Sequence, residues 1–393
     1  MTNDLETRVQ AVNSSTLVPL VQQSLDSQSV ELLDWNIQRI HGGTFGKVYR
    51  FRGSGRTQEG TLPWSLVLKV VHNAKPAPID RTDPASVRYW KREPLAYQSG
   101  FMTDLPGNLM APRCFDIVEP AADECWLWLE DVAEEKNATW SSDRYGLAAR
   151  HLGQFNGEYG QYRPLPSGPW LGQNLLRAQA KEVRPGIEQL PRSLHHPMVQ
   201  RFFPTDVAKD ILQLWADQEM FLHAIERLPQ TVCHRDAFRR NLFARQHPNG
   251  VEQTVAIDWE DVARGPVGED LVSLIVLSLV TFEIELTGSQ AFEAYLFECY
   301  LEGLHDSGWR GDPQVVRLGY TAACLRYGLG VVGILLNLAL AENRYADHQK
   351  RTGHSVEETA DRWAAVLRFV LDRMDEARQL MRNNEPYWFC LLR

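Results

Sequence analysis

The sequence predicts a two-lobed α+β fold, a small antiparallel β-sheet lobe with one helix followed by a larger, mostly helical lobe. Three observations predict it. Between residues 35 and 130 the chain is β-rich, with alternating or apolar runs separated by glycine clusters. After residue 140 the apolar spacing becomes helical, interrupted by one short β island. At 393 residues the chain is long enough for two or three domains or two unequal lobes. Hydrophobic residues make up 44 % and charged residues 23 %, an ordinary globular balance that excludes a disordered or collagen-like chain.

Residues 14–26 read as a short amphipathic helix, within an N-terminal helical extension over 1–34. Trp35–Ile40 and Val48–Arg52 alternate around a glycine cluster, which predicts strand, turn, strand. Trp64–Val71 is a third strand, rich in Leu and Val. Ser86–Gln98 carries a helical pattern that Pro94 interrupts or kinks. Ala111–Val118 and Glu124–Glu130 complete the first lobe, 35–131, with a boundary near Glu130–Ala133. The second lobe, 132–393, holds helices over Asp143–Tyr159 and Thr205–Arg227, with a Pro/Gly loop at Arg163–Gly172. Its β island is a hairpin, Asn241–Arg245 and Val251–Ile257, around the Asn249-Gly250 turn. From Asp270 onward the pattern is helical.

Lys and Arg number 41 against 50 Asp and Glu, a net charge of −9, which argues against non-specific nucleic-acid binding. The six cysteines form no C-x-x-C pair or zinc spacing and are expected as free thiols. The polar, acidic N-terminus is unlike a secretory signal, so a cytoplasmic protein is expected. Leu271–Phe282 is too short to span a membrane, and Gly319–Ala341 carries Arg326 in its middle. Both are expected to be buried helices, with no membrane partner.

Chemistry concentrates in Cys233-His234-Arg235-Asp236-Ala237-Phe238-Arg239-Arg240-Asn241, which contains His-x-Asp-x4-Asn. It precedes a hairpin whose second strand runs into Ile257-Asp258-Trp259-Glu260. A loop Asp, an Asn five residues on and a strand-end Asp suit phosphoryl transfer. One carboxylate can orient an attacking hydroxyl and take its proton. The amide oxygen and the other carboxylate can hold Mg²⁺ on nucleotide phosphates. Upstream, His41-Gly42-Gly43-Thr44-Phe45-Gly46 lies between two strands and is either a phosphate cradle or a plain hairpin turn. Lys69, in an otherwise apolar strand, needs an anion. Glu93 is either that partner or a solvated helix acid.

The order of Gly loop, strand Lys, helix Glu, His-x-Asp-x4-Asn and Ile-Asp is the protein-kinase-like plan. With Arg92-Glu93-Pro94-Leu95-Ala96-Tyr97, Leu127-Trp128-Leu129-Glu130-Asp131-Val132 and Gly268-Glu269-Asp270-Leu271, the chain from about Trp35 to Val280 resembles the aminoglycoside phosphotransferase and choline kinase family. The resemblance implies a bilobal protein-kinase-like fold, with a nucleotide-binding first lobe and a catalytic, substrate-binding second lobe. It implies Asp236 as catalytic base, and Asn241 and Asp258 as Mg²⁺ ligands. ATP phosphates are expected at Lys69, held by Glu93, and at Gly43, Thr44 and Gly46, with adenine at a hinge including Glu130 and Val132. Asp270 would brace the loop, or serve as an ordinary helix N-terminal acid. His234 would pack the loop.

Departures are informative. Arg235 stands where the small-molecule branch usually has Gly, and only 11 residues separate Asp258 from Glu269, too few for a regulatory activation segment. Arg235 is therefore expected to pair with a local carboxylate. Arg239 is a candidate phosphate contact or a surface charge. For the acceptor, Glu283 and its acidic, aromatic neighbours from Phe282 to Glu302, with Trp259 and Glu260, suit a cationic small molecule, or are ordinary helix faces. The expected activity is ATP-dependent phosphorylation of a small-molecule hydroxyl on an aminoglycoside, amino sugar or amino alcohol, by a monomer or homodimer. A peptide Ser/Thr hydroxyl kinase and a nucleotide-binding pseudokinase are the alternatives. The complete polar set argues against the last.

Overall fold

The computed structural model describes residues 2–40, 46–73, 80–132, 139–247 and 249–383. Gly43 and Thr44 of the glycine cluster lie outside them. Two helices open the chain, α1 (Thr2–Gln10) and α2 (Ser14–Ser24). Asn13 caps α2 by accepting from the N–H groups of Ser15 and Thr16. Then come β1 (Glu31–Ile40), β2 (Gly46–Thr57), β3 (Gly60–His72), α3 (Arg92–Gln98), the short β4 (Leu109–Met110), β5 (Cys114–Ala121) and β6 (Glu124–Glu130). Five of these strands form one antiparallel sheet in the order β1-β2-β3-β6-β5.

Strand alternation sorts β3 by face. Leu66, Leu68 and Val70 enter a core with Leu5, Val9, Leu17 and Val21 of α1 and α2. The N-terminal helices are thus built into the outer face of the sheet rather than trailing from it. Lys69 alternates to the opposite face, towards the rest of the molecule.

The helix expected over Ser86–Gln98 begins only at Arg92, so Pro94 falls in its first turn, where no N–H is required. The preceding segment is held by the buried Arg92 guanidinium, which donates to the carbonyls of Pro84, Ser86 and Val87 at 2.6–3.3 Å and to that of Glu260 at 3.0 Å. One side chain satisfies the backbone there in place of a helix.

The larger lobe contains α4 (Ser142–Gln161), α5 (Leu175–Ser193), α6 (Pro197–Phe202), α7 (Thr205–Arg227), β7 (Gln230–Cys233), β8 (Leu242–Gln246), β9 (Glu252–Ala256), β10 (Ala263–Pro266), α8 (Asp270–Val280) and α9 (Ser289–Asp306). It ends in α10 (Pro313–Ala323), α11 (Leu325–Gly330), α12 (Val332–Leu340), α13 (Tyr345–Thr352) and α14 (Val356–Asn383). The expected hairpin is β8–β9, and β4 joins β9 in parallel. β7 pairs with β10, and this second pairing had no sequence signal. Helices α5 and α6 fall in a stretch, 173–204, for which the sequence pattern assigned no element; α5 contains Pro185 and Pro191, and Pro197 opens α6. The apolar run Pro313–Leu340 is long and apolar enough to cross a membrane, yet 61 % of its most apolar window is buried in the fold.

Glycines set two close approaches. A Cβ on Gly186 of α5 would stand 2.8 Å from the Gly333 Cα of α12, and one on Gly303 of α9 would stand 1.9 Å from the Arg150 carbonyl oxygen of α4. Gly303→Ala should therefore cost about 1–3 kcal/mol, because the obstacle is backbone and cannot rotate away. Urea denaturation reads this as a lowered midpoint.

Candidate active site

The turn leaving β7 places His234 to Asn241 at the junction of the two lobes. Arg235 sits at φ 67, a costly left-handed conformation for a non-glycine residue. Asp270 fixes it. One carboxylate oxygen accepts from the Arg235 N–H at 2.7 Å, and the other from the His234 N–H at 3.2 Å and from Asn156 Nδ2 at 3.0 Å. Asn156 is itself held by Tyr300, whose hydroxyl donates to Asn156 Oδ1 at 2.6 Å and accepts from the Gly268 N–H at 3.0 Å. Asp270 thus braces the loop from the first turn of α8. Burial pushes its pKa up to about 6, while the Arg235, Asn156 and His234 donors pull it down.

His234 is buried and spends both ring nitrogens on the backbone. Nδ1 accepts from the Asp236 N–H at 3.2 Å, so Nε2 carries the proton and donates to the Ile257 carbonyl at 3.0 Å. Burial lowers its pKa to about 4. It packs the loop and links it to the end of β9. Arg235 pairs with Glu269 at 2.6 Å, the local carboxylate its departure called for.

Asp236 is thereby presented at the loop's edge. Asn241 Nδ2 donates to the Asp236 carbonyl at 3.0 Å and to its Oδ2 at 2.7 Å. Burial pushes the Asp236 carboxyl up to about 7. The Arg326 guanidinium counters this, while Asp261 and Asp258 add to it. The Asn241 carbonyl accepts from the Ile257 N–H at 2.9 Å, which sets Asn241 beside the residue before Asp258. Asp258 follows β9 at φ 65 and ψ 63, a conformation Asp tolerates better than most side chains.

Lys69 reaches across from β3. Its Nζ lies 2.5 Å from Glu93 Oε2 and 2.5 Å from Asp258 Oδ1. Burial disfavours the ammonium, but Asp258 and Glu93 outweigh it and hold the pKa above the ordinary lysine value. Glu93 is no solvated helix acid. It is buried, and its Oε1 accepts from the Trp259 N–H at 3.2 Å. The donors available to a cation near Asp236 are the Asn241 amide oxygen and the second oxygen of Asp258, hard ligands suited to Mg²⁺. Among the described residues no three His, Cys, Asp or Glu side chains form a metal cluster, so Asn241 and Asp258 are the side chains that would hold a cation there.

Glu130 holds the lobes together rather than offering a free hinge amide. Its N–H donates to the Arg113 carbonyl at 2.8 Å, and its carboxylate binds the Arg113 N–H and the Arg245 guanidinium of β8. Val132 lies beyond the last paired residue of β6, so its peptide stands outside the sheet register. Gly46 begins β2 opposite Val71, and a Cβ there would meet the Val70 carbonyl at 2.9 Å.

A cavity of about 1190 Å³ opens beside Asp236. Glu260 lines it, as expected, and burial followed by Asp258 pushes its carboxyl up to about 8. The structure places the three other substrate candidates away from this cavity. Trp259 is fully buried, its indole donating to the Ala256 carbonyl and its ring 4.4 Å from that of His234, so it is core. Arg239 lies over Trp140 at 4.6 Å. Glu283 accepts from the Tyr145 hydroxyl at 3.1 Å. Neither Arg239 nor Glu283 lines the cavity, and neither do the other carboxylates between 285 and 302. Alpha9 packs instead on α4, and its Glu293 is buried against Arg317 and Arg373. The cavity walls come from the segment before and into α3, from α5, and from α11–α14.

Sequence reasoning also missed the role of Arg326. Its guanidinium donates to the Arg235 carbonyl, beside Ser273, and pairs with Asp261 at 2.5 Å. A lone Arg in an apolar run was the available signal. Arg326→Met should lower stability by about 1–3 kcal/mol, since the half-buried Asp261 carboxylate and the Arg235 carbonyl would lose their donor. Arg326→Met with Asp261→Leu should recover part of that loss in thermal denaturation.

Residues 36–307 match the model of the phosphotransferase enzyme family (APH). The chain belongs to this family. It is a kinase of protein-kinase-like fold, and comparison with solved structures agrees on the fold. The microcompartment-associated aminopropanol kinase superposes with a TM-score of 0.55 at 14% identity, covering 91% of this chain and 98% of the other. The amicoumacin kinase hAmiN, solved with AMP-PNP, Ca²⁺ and amicoumacin, superposes with a TM-score of 0.52 at 15% identity, covering 92% and 96%. No curated protein sequence matches the phosphotransferase.

Proposed function

We propose that this phosphotransferase moves the γ-phosphoryl group of ATP to a hydroxyl of a small molecule, with Mg²⁺ as cofactor. The observation that carries the reading is Lys69, buried between Glu93 and Asp258 and one short loop away from the Asp236–Asn241 pair. Mg²⁺, when bound, neutralises phosphate charge and holds the nucleotide for in-line attack. Asn241 and Asp258 are the residues that would hold it. Asp236 accepts the hydroxyl proton as the acceptor oxygen bonds to γ-phosphorus. The bond from γ-phosphorus to the β,γ-bridging oxygen breaks, and ADP leaves. Lys69 contributes a fixed positive charge to the phosphates, at the expense of its contact with Asp258. Most of the rate enhancement then comes from positioning and charge compensation. The two-lobe division at about residue 131 follows, with nucleotide on the sheet side and acceptor on the helical side. Support comes from family membership and the complete polar set, which also weighs against a pseudokinase. Acceptor-dependent ADP release over a panel of alcohols tests it. Nucleotide binding with no turnover on any alcohol or peptide would favour the pseudokinase.

A further inference from the structure

The acidic and aromatic surface expected to greet a cationic acceptor lies away from the cavity, so the cavity's own chemistry must identify the acceptor. Its wall on α12 is a helical stripe, Val331, Ile334, Leu335 and Leu338, spaced to share one face, with Trp363 of α14 nearby. Ile334 is 62 % exposed. Val331 and Leu335 are buried and Leu338 is half-buried, so Ile334 is the stripe's exposed point within the apolar run that could have passed for a membrane span. The rest of that run is core, and this part faces the space next to Asp236.

Beyond the stripe the rim is basic. Arg344 and Arg351 both line the cavity, seven positions apart and therefore on one side of α13 and its entry turn. Neither guanidinium has a hydrogen bond or ion pair among the described residues. Asp347 stands between them and forms an ion pair with neither. The cavity's other cations are already engaged. Arg326 holds Asp261, Arg235 holds Glu269, Arg88 faces Glu182 at 3.7 Å, and Arg81 donates to the His72 and Arg88 carbonyls. Two arginines thus remain to meet an anion, at the end of an apolar wall that starts at the catalytic loop.

We propose that the acceptor is an alcohol with an apolar body and an anionic end, a carboxylate or a phosphate, which Arg344 and Arg351 bind while the hydroxyl reaches Asp236. The proposal rests on the kinase reading above and narrows it. A multiply charged cationic acceptor would bury its amines against an apolar stripe and meet two arginines at the rim.

The test uses the full chain with Mg·ATP and measures ADP release with ω-hydroxydecanoate, ω-hydroxydecyl phosphate, the methyl ester of the acid, and choline. One or both anionic alcohols should exceed the ester and choline in kcat/KM by roughly tenfold or more, the loss expected when a charged hydrogen bond is removed. Whichever anion is preferred identifies the group. The double variant Arg344→Gln/Arg351→Gln should raise KM for the anionic acceptor by roughly tenfold with kcat unchanged. Ile334→Glu should raise it as well. Equal turnover of the ester or choline, or an unchanged KM in the double variant, overturns the inference and leaves the kinase reading standing. Inert acceptors with intact Mg·AMP-PNP binding also overturn it. Loss of Mg-dependent AMP-PNP binding by the native chain would instead refute the kinase reading.

Discussion

Asp236→Asn should lower kcat by about 10²–10⁴, the usual contribution of a positioned general base, and leave the affinity for Mg·nucleotide within about threefold. The substitution is isosteric. The amide oxygen of Asn can still accept from Asn241 Nδ2, which now binds Asp236 Oδ2 at 2.7 Å. Nothing in the brace is lost, because Asp270 holds the His234 and Arg235 amides and the Asp236 N–H bonds to His234. Burial already pushes the Asp236 carboxyl up to about 7, so removing its charge relieves a desolvation cost. The variant should be at least as stable as the native protein in thermal denaturation, which separates lost chemistry from lost folding. Single-turnover kinetics with saturating nucleotide give the rate. A native rate in the variant would remove Asp236 from the mechanism.

Asp258→Asn should abolish the Mg²⁺ dependence of nucleotide binding and weaken Mg·ATP by at least roughly a hundredfold, more than the loss of a group that merely orients a ligand. Asn tolerates the left-handed backbone at this position, so the turn into Trp259 is kept. Lys69 retains Glu93 at 2.5 Å and stays charged, although it loses the Asp258 carboxylate at 2.5 Å. Nucleotide without metal should bind the variant no worse than the native chain, because the phosphates no longer compete with Asp258 for Lys69. Calorimetry with and without Mg²⁺ reads both effects. An unchanged Mg·ATP affinity would place the metal elsewhere.

Much of the site was legible along the chain because its parts are local. His234, Asp236 and Asn241 fall within eight residues, and a hairpin turn with an Asn-Gly signal delivers Asp258 next to them. A lysine in an apolar strand announced that it needed an anion, and the structure supplies two. Other residues resisted reading for a common reason. Trp259 follows the strand-end aspartate and looked exposed to substrate, but the 3-10 turn of Trp259–Asp261 rotates its ring into the core. Glu283 and Glu293 sit on a chemically suitable stretch, yet α9 is committed to α4 through Gly303, which admits the α4 backbone. Asn156 and Tyr300 carry no motif, and their importance arises only from meeting Asp270 and Gly268.

By itself the sequence determined the two-lobed α+β class, the first-lobe strands, and the catalytic-loop and strand-end residues, since periodicity and short-range spacing encode them directly. Only the tertiary structure decided which helices wall the cavity that Asp236 lines, which acids are brace, pair or core, and that two arginines without an ion pair line the same cavity. Those outcomes depend on contacts between segments far apart in the chain, and a helix's apolar pattern says that a face is covered without saying by what.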